Sequence, residues 1–420
     1  MPGIRSSYTD SVNFFGQSTP RALVEEFGTP LYVYSEKILR ERCRELVSMC
    51  KTRGFTVNYS AKANTNPALL SIIREEGLTV DAMSPGELHM DLLAGFDKSN
   101  IFYISNNISP AEMKNAIAHD LLVSVDSLSQ LDLYGRLNPG GKVMVRFNPG
   151  IGAGHSKKVI TAGKETKFGV CPEDTDKVAE ILARHKLTLA GATQHIGSLF
   201  MQPDGYVAAA DFLLNFVENL PESLRANLEV IDFGGGFGIP YHKYENEARL
   251  DLNELGARLD ELFAAFIAKT GYTGRFLVEP GRYVVAECGL LLGSVEAVKN
   301  NGPKRYVGTD LGFNVLVRPA MYDSFHDVEI YGEGEERPEM VQTLVGNICE
   351  SGDILAKERT WPEIHEDDIV GVLDAGAYGF AMSSSYNTRC LPAEVLIPLE
   401  GKPRLIRRRQ TLDDLTATLV

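Results

Sequence analysis

Short runs of β-branched and apolar residues recur at 56–60, 78–83, 100–105, 121–126, 142–148, 189–195, 230–233 and 276–279. Most are separated by stretches with helical apolar spacing: 67–76, 85–94, 110–118, 127–134, 172–185, 205–219 and 252–269. Strand-then-helix repetition predicts parallel pairing, because the helix carries the chain back across the sheet. Eight such units predict a closed (β/α)8 TIM-type barrel; an open doubly wound sheet is the alternative, and it needs no particular number. Ahead of them, 19–26 suits one short helix, 30–34 alternates like a strand, and Ser35 is placed to cap a helix reaching 49. After Gly281 the helical spacing nearly vanishes, and 290–298, 305–309, 328–330, 342–346, 369–373 and 393–398 read as strands. The expected fold is α/β, with the barrel at 35–281 and an all-β domain at 282–420 completed by 1–34.

Polar residues cluster at one end of the predicted barrel strands. Lys62, Asp81, Ser84, Asn106, Asp126, Asn148, His195, Gly234, Gly235, Gly236 and Glu279 stand at or just past C-terminal strand ends. In a barrel that face gathers side chains from separate strands at one point, so the asymmetry predicts a catalytic face. One connection there, 148–163, is long and rich in glycine, which predicts a lid or binding loop at 150–163; a surface insertion is the alternative.

Composition narrows the class. The chain has 420 residues, 44% hydrophobic and 23% charged, which suits a globular protein of two domains. A net charge of -14 argues against nucleic acid or an acidic membrane as partner, since either requires a basic footprint. The one basic run, 404–409, reads as a solvated strand or tail. No apolar stretch reaches membrane-spanning length, and 1–16 is polar, without the apolar core of a signal peptide. Six cysteines (43, 50, 171, 288, 349, 390) form no CxxC pair, which suits a reducing cytoplasm better than a disulfide framework.

Chemistry concentrates in four places on the barrel. In Tyr59-Ser60-Ala61-Lys62-Ala63-Asn64, a strand delivers Lys62 into a turn of small residues, where an amine of lowered pKa forms a Schiff base. A lone lysine is far more often a solvated surface group, so the case rests on what converges on it. Ile231-Asp232-Phe233-Gly234-Gly235-Gly236-Phe237-Gly238 is a glycine-rich turn after a strand, able to bring backbone N–H groups up to a phosphate. It is no dinucleotide fingerprint, because Ile239 stands where the third glycine belongs, and it reads equally as a tight barrel loop. In Leu277-Val278-Glu279-Pro280-Gly281-Arg282, a strand-tip carboxylate suits a protonated pyridine nitrogen, or else an ion pair with Arg282. His195 is a candidate stacking ring, with a core histidine as the ordinary alternative.

Lysine, phosphate loop, stacking ring and pyridine carboxylate are together the parts of a pyridoxal 5'-phosphate site. With these motifs the chain resembles the fold-type III, alanine-racemase-like PLP-dependent decarboxylases, from about Pro30 to Leu415. Cys349-Glu350-Ser351-Gly352-Asp353, Arg318-Pro319-Ala320-Met321-Tyr322 and Asp374-Ala375-Gly376-Ala377-Tyr378-Gly379 narrow the likeness to the branch acting on meso-2,6-diaminopimelate. The resemblance implies decarboxylation of that substrate to L-lysine and CO2, the last step of lysine biosynthesis. It implies that Lys62 carries the cofactor, His195 stacks on it and Glu279 pairs the ring nitrogen. Ser198, Gly235, Gly236, Gly238, Gly281, Arg282 and Tyr378 would surround the cofactor, while Arg282, Arg318, Tyr322, Glu350 and Tyr378 would contact substrate. Cys349 would return the proton, no metal is expected, and a head-to-tail homodimer would share its two active sites.

Two departures stand out: Thr309-Asp310-Leu311-Gly312 replaces the usual Val-Asp-Ala-Gly, and Arg389-Cys390-Leu391-Pro392 replaces Arg-Pro-Arg-Pro. The second touches the contacts around 386–389. Other functions weighed are decarboxylation of another basic amino acid, polyamine or siderophore precursor, a racemase, and a non-catalytic PLP-binding regulator. The β-domain carrying Cys349 argues against the regulator, and no motif supplies the tyrosine a racemase places on the opposite face.

Overall fold

The computed structural model describes residues 4–148, 153–154, 167–332 and 337–420. The 150–163 loop lies, but for 153–154, outside the described residues. The chain divides into two compact units, one of residues 1–41, 240–248 and 284–420, the other of 42–239 and 249–283.

In the second unit, eight parallel strands close into a barrel: Phe55–Ser60, Thr79–Ala82, Ile101–Ile104, Leu122–Val125, Lys142–Arg146, Thr188–Thr193, Val230–Asp232 and Arg275–Val278. The last pairs back to the first through Val278 and Val57, and the sixth to the seventh through Thr193 and Asp232. Helices Pro67–Glu75, Pro85–Leu93, Pro110–Ala118, Leu128–Leu137, Thr175–His185, Pro203–Glu218 and Leu252–Thr270 lie between successive strands. Their starts carry the expected punctuation. Asn66, Ser84, Ser109, Ser127 and Asp251 each accept a bond from a first-turn N–H, and proline opens the first three helices. Phe102, Met144, Val230 and Leu277, from four different strands, form one buried cluster. Each such side chain contributes about 1.5–3 kcal/mol of burial.

The first unit is built on one mixed sheet. Its main path runs Ile354–Pro362, Glu339–Val345, Lys304–Thr309, Gly289–Asn301, Leu31–Ser35, Ala393–Ile397, Arg404–Arg407, and Ile369–Val372 with Val328–Tyr331 branches from Gly289–Asn301. Leu31–Ser35 is buried at every position, antiparallel to 289–292 on one side and parallel to 393–397 on the other. The N-terminal segment is thus a central strand of the β unit. The 404–409 run supplies an edge strand there, with Arg407 hydrogen-bonded to the buried Glu394.

Among the elements of this unit that sequence periodicity missed are one strand and one N-terminal helix. Ile354–Pro362 carries Lys357, Glu358 and Arg359 in a row, and its pairing with Glu339–Val345 shifts register. Glu358 has φ 50°, so the strand does not keep a clean period of two. Helix Ser7–Val12 is short and polar, and its first N–H groups are satisfied from far along the chain. Glu329 Oε1 accepts from Tyr8 N at 3.0 Å and from Thr9 N at 3.1 Å.

Candidate active site

The turn carrying Lys62 is held by its neighbours on both sides. Asp81, next to last in the second barrel strand, accepts from Ser60 Oγ at 2.9 Å and from Ala61 N at 3.0 Å. Tyr59 OH donates to Asn64 O at 2.9 Å, and Asn64 Oδ1 accepts from Asn66 N at 3.0 Å, joining the turn to the next helix. Ala61 and Ala63 are fully buried while Lys62 is exposed, so the turn projects the lysine alone.

Carboxyls from several strands surround that amine. Burial, then the charge of Glu279, pushes Asp81 up to about 8, with Lys62 opposing. Burial likewise raises Glu87, whose Oε2 accepts from Met83 N at 2.7 Å, and Lys62 again opposes. Glu279 is held well above the usual carboxylate range by burial and by Asp232, with Lys62 and Arg146 opposing. Lys62 thus acts electrostatically on Asp81, Glu87 and Glu279, which come from different parts of the barrel.

Glu279 and Asp232 form a pair. Each acts on the other: Asp232 adds to the burial that raises Glu279, while Glu279 lowers Asp232. Asp232 Oδ1 accepts from Gly234 N at 2.9 Å, and burial pushes this group up to about 7. Glu279 Oε1 is buried and meets no N–H or O–H donor among the described residues. The glycine loop packs directly on this strand end: Glu279 N donates to Gly234 O at 2.9 Å. A Cβ at position 235 would lie 2.0 Å from Glu279 O, so only glycine lets the two backbones approach.

His195 is oriented by the same loop. Gly235 N donates to its Nδ1 at 3.0 Å, so Nδ1 holds a lone pair and the neutral ring carries its proton on Nε2. Burial, followed by the charges of Lys62 and Arg146, holds it well below the usual imidazole value. Ser198 Oγ accepts from Arg282 Nη2 at 3.1 Å. Lys62, His195, Ser198, Gly235, Gly236, Gly238, Glu279, Gly281 and Arg282 all belong to the barrel unit. Arg146 and Asp232 were not singled out from sequence. Arg146 Nη2 donates to His195 O at 3.2 Å and its charge acts on Glu279, Asp126 and Asp232. Arg146 closes the apolar run Lys142–Arg146, which by itself marks no site.

The remaining candidates belong to the β unit. Cys349 and Glu350 are exposed on a turn whose base is pinned by Asp353, which accepts from Phe313 N and Ile348 N at 2.7 Å each. Cys349 Sγ lies 3.5 Å from Asn387 Oδ1, and Glu350 Oε1 accepts from Tyr386 OH at 2.6 Å. Despite the departure at Cys390 and Leu391, Arg389 Nη2 still reaches Asn347 O at 3.0 Å. Tyr378 sits at φ 57°, a left-handed conformation uncommon for a bulky side chain. Arg318 is buried at the start of helix Arg318–Tyr322, with Tyr322 at its end. None of the six cysteines forms a disulfide, and no helix among the described residues is long and apolar enough to cross a membrane.

A parallel barrel that presents one lysine among raised carboxyls, beside a fixed neutral imidazole and a glycine turn, has the arrangement of a lysine-tethered carbonyl-cofactor enzyme. Comparison with known proteins leads the same way. Residues 37–286 match the pyridoxal binding domain of pyridoxal-dependent decarboxylases. The diaminopimelate decarboxylase of Methanothermobacter thermautotrophicus is 39% identical over 398 residues, spanning 94% of this chain and 92% of that protein. A crystal structure of diaminopimelate decarboxylase superposes with TM-score 0.87 at 32% identity, covering 96% of this chain and 98% of that one. The Helicobacter pylori diaminopimelate decarboxylase crystallised with L-lysine gives TM-score 0.87 at 28% identity, covering 95% and 98%. The chain belongs to the pyridoxal-dependent decarboxylases, and within them to the diaminopimelate decarboxylase family.

Proposed function

We propose that the protein is a PLP-dependent carboxy-lyase that removes the D-centre carboxylate of meso-2,6-diaminopimelate, giving L-lysine and CO2. The observation that carries this reading is the convergence of Asp81, Glu87, Glu279 and His195 on Lys62, in a chain similar to its relatives over nearly its whole length. The barrel is of the (β/α)8 TIM type, with polar residues gathered at its C-terminal strand ends.

The residues fit pyridoxal 5'-phosphate. Glu279 Oε1, buried without a donor, suits a ring N–H, and the neutral His195 ring offers a flat face. Ser198, Gly235, Gly236, Gly238, Gly281, Arg282 and Tyr378 would hold the rest of the group, with Lys62 Nζ as the point of attachment. When bound, it supplies an electron sink for the pair left as the Cα–carboxylate bond breaks. A ring N–H placed against Glu279 Oε1 would favour the ionised carboxylate against the burial that opposes it. Asp81 and Glu87, when ionised, would favour the ammonium form of Lys62. Arg318 and Arg282 would offer guanidinium forks to substrate carboxylates, Tyr322 and Tyr378 would also contact substrate, and Glu350 would pair a distal ammonium. Cys349 Sγ–H delivers a proton to Cα.

Because Cys349 and Glu350 are exposed on the β unit while Lys62 is on the barrel, the active site is completed by the loop of a second chain in a two-fold dimer. Six scattered cysteines without a disulfide suit a reducing compartment such as the cytoplasm. Purified protein supplied with meso-diaminopimelate, ornithine, lysine or arginine in parallel should release CO2 rapidly from the first alone. Faster release from ornithine or arginine would reassign the substrate and keep the reaction class.

A further inference from the structure

Arg318 is the buried cation of the β unit that the proposed function assigns to a substrate carboxylate, and its guanidinium is fixed from several directions. Its Nη1 lies 2.8 Å from His326 Nε2, and Nη2 donates to Ser324 Oγ at 3.3 Å. The Tyr241 ring lies 5.0 Å from the guanidinium carbon. His326 is 1% exposed, and its ring meets Tyr241 edge-on at 5.3 Å. On its other side, His326 Nδ1 lies 2.7 Å from Leu373 O.

These partners fix where the imidazole proton sits. A carbonyl oxygen only accepts, so Nδ1 carries the hydrogen; a guanidinium nitrogen only donates, so Nε2 carries the lone pair. His326 is therefore a neutral acceptor facing a cation, in the Nδ1–H tautomer. The opposite tautomer would set N–H against N–H on one side and lone pair against lone pair on the other. Leu373 adjoins Asp374 in the motif that carries Tyr378, so the ring ties the strand end to the arginine.

We propose that His326 is a positioning residue for substrate binding: anchored by Leu373 O, its Nε2 lone pair fixes the plane of the Arg318 guanidinium for a substrate carboxylate. This rests on the reading of Arg318 as a substrate contact. A carboxylate gains two parallel bonds only from a fork held in its plane, so a loosened fork costs ground-state binding more than turnover.

The experiment is steady-state decarboxylation of meso-diaminopimelate by the PLP-loaded enzyme, with thermal unfolding of each variant alongside. In His326→Gln, the amide oxygen stands near Nε2 and still accepts from Arg318, so KM should stay within about threefold of wild type. In His326→Asn, the amide reaches Leu373 O but not Arg318. KM should rise about tenfold or more, with kcat within about threefold, as for loss of a hydrogen bond to a charged group. Arg318→Ala should raise KM at least as much, and adding His326→Asn to it should cost little more. A purely structural histidine would make KM follow the unfolding temperature with no distinction between Gln and Asn, and that pattern overturns the proposal. If Arg318→Ala raises KM and His326→Asn does not, positioning alone fails. If Arg318→Ala leaves KM unchanged, the substrate role of Arg318 fails and the positioning role with it. A readout that needs no variant is the imidazole nitrogen NMR spectrum of the wild-type enzyme: the Nδ1–H tautomer is expected, and an Nε2–H tautomer or an imidazolium at His326 overturns the proposal.

Discussion

The backbone N–H of Gly235 donates to Nδ1 of His195 at 3.0 Å, so the glycine turn and the imidazole form one unit. The turn places its N–H groups, fixes the ring tautomer, and through Gly234 O also holds the backbone of Glu279. Three sequence-distant pieces of the barrel mouth are therefore coupled by two hydrogen bonds.

Two substitutions at His195 should separate these roles. His195→Asn keeps an acceptor near Nδ1 for Gly235 and removes the ring. It should unfold in urea near the wild-type midpoint while binding pyridoxal phosphate markedly more weakly. His195→Phe keeps a flat ring and strands the Gly235 N–H, at a cost of about 1–3 kcal/mol of stability. Its cofactor affinity should stay closer to wild type. Identical behaviour of the two variants would show that ring and acceptor do not act separately.

Glu279→Gln should retain the fold and the cofactor but lose most CO2 release, since a neutral amide no longer stabilises a protonated ring nitrogen. The Asp232 carboxyl can still pair with the amide, so unfolding should move little. Cofactor absorbance and CO2 release measured on the same sample decide the matter. An undiminished rate would remove Glu279 from the mechanism.

Much of this site was legible because its parts are local in sequence. Lys62 follows its strand by two residues, and the glycine turn and Glu279 each close a strand. Arg146 and Asp232 were not, since a charged residue within an apolar run signals nothing until the barrel closes and brings it beside Glu279. Helix Ser7–Val12 was hidden for the same reason, its capping acid lying at Glu329. The eight strand runs were readable to within a few residues because a parallel strand is continuous apolar sequence. Ile354–Pro362 was not, because its register shift breaks the alternation.

The barrel's acids also set a pH dependence. Asp91 is fully buried, and neither carboxyl oxygen meets a donor among the described residues. Burial, then the charges of Asp81 and Glu87, pushes it up to about 9. Its folded value lies above its unfolded one, so the folded chain holds the extra proton and stability falls as pH rises. The contribution is full below the unfolded value, near 4, and is lost toward about 9, at a limiting slope of about 1.4 kcal/mol per pH unit. Asp91→Asn mimics the protonated acid at every pH. Urea unfolding at pH 5 and pH 8 should show a smaller loss of stability in the variant than in wild type. Equal losses in both would remove Asp91 as the source.

Sharing of the active site between chains is testable by complementation. Lys62 belongs to the barrel unit, and Cys349 to an exposed turn of the β unit, where Asp353 braces it from two backbone N–H groups. A loop braced at its base and exposed at its tip is suited to entering a neighbour's barrel. Lys62→Ala and Cys349→Ala should each be nearly inactive as homodimers. When the two are co-refolded, a hybrid dimer puts both defects into one site and leaves the other with an intact Lys62 and an intact Cys349. Random pairing makes about half of the dimers hybrids, each with one working site, so activity should return to roughly a quarter of wild type. Subunit exchange is verified by differently tagged chains. If hybrids form and no activity returns, Cys349 serves the barrel of its own chain, and the shared site must be abandoned.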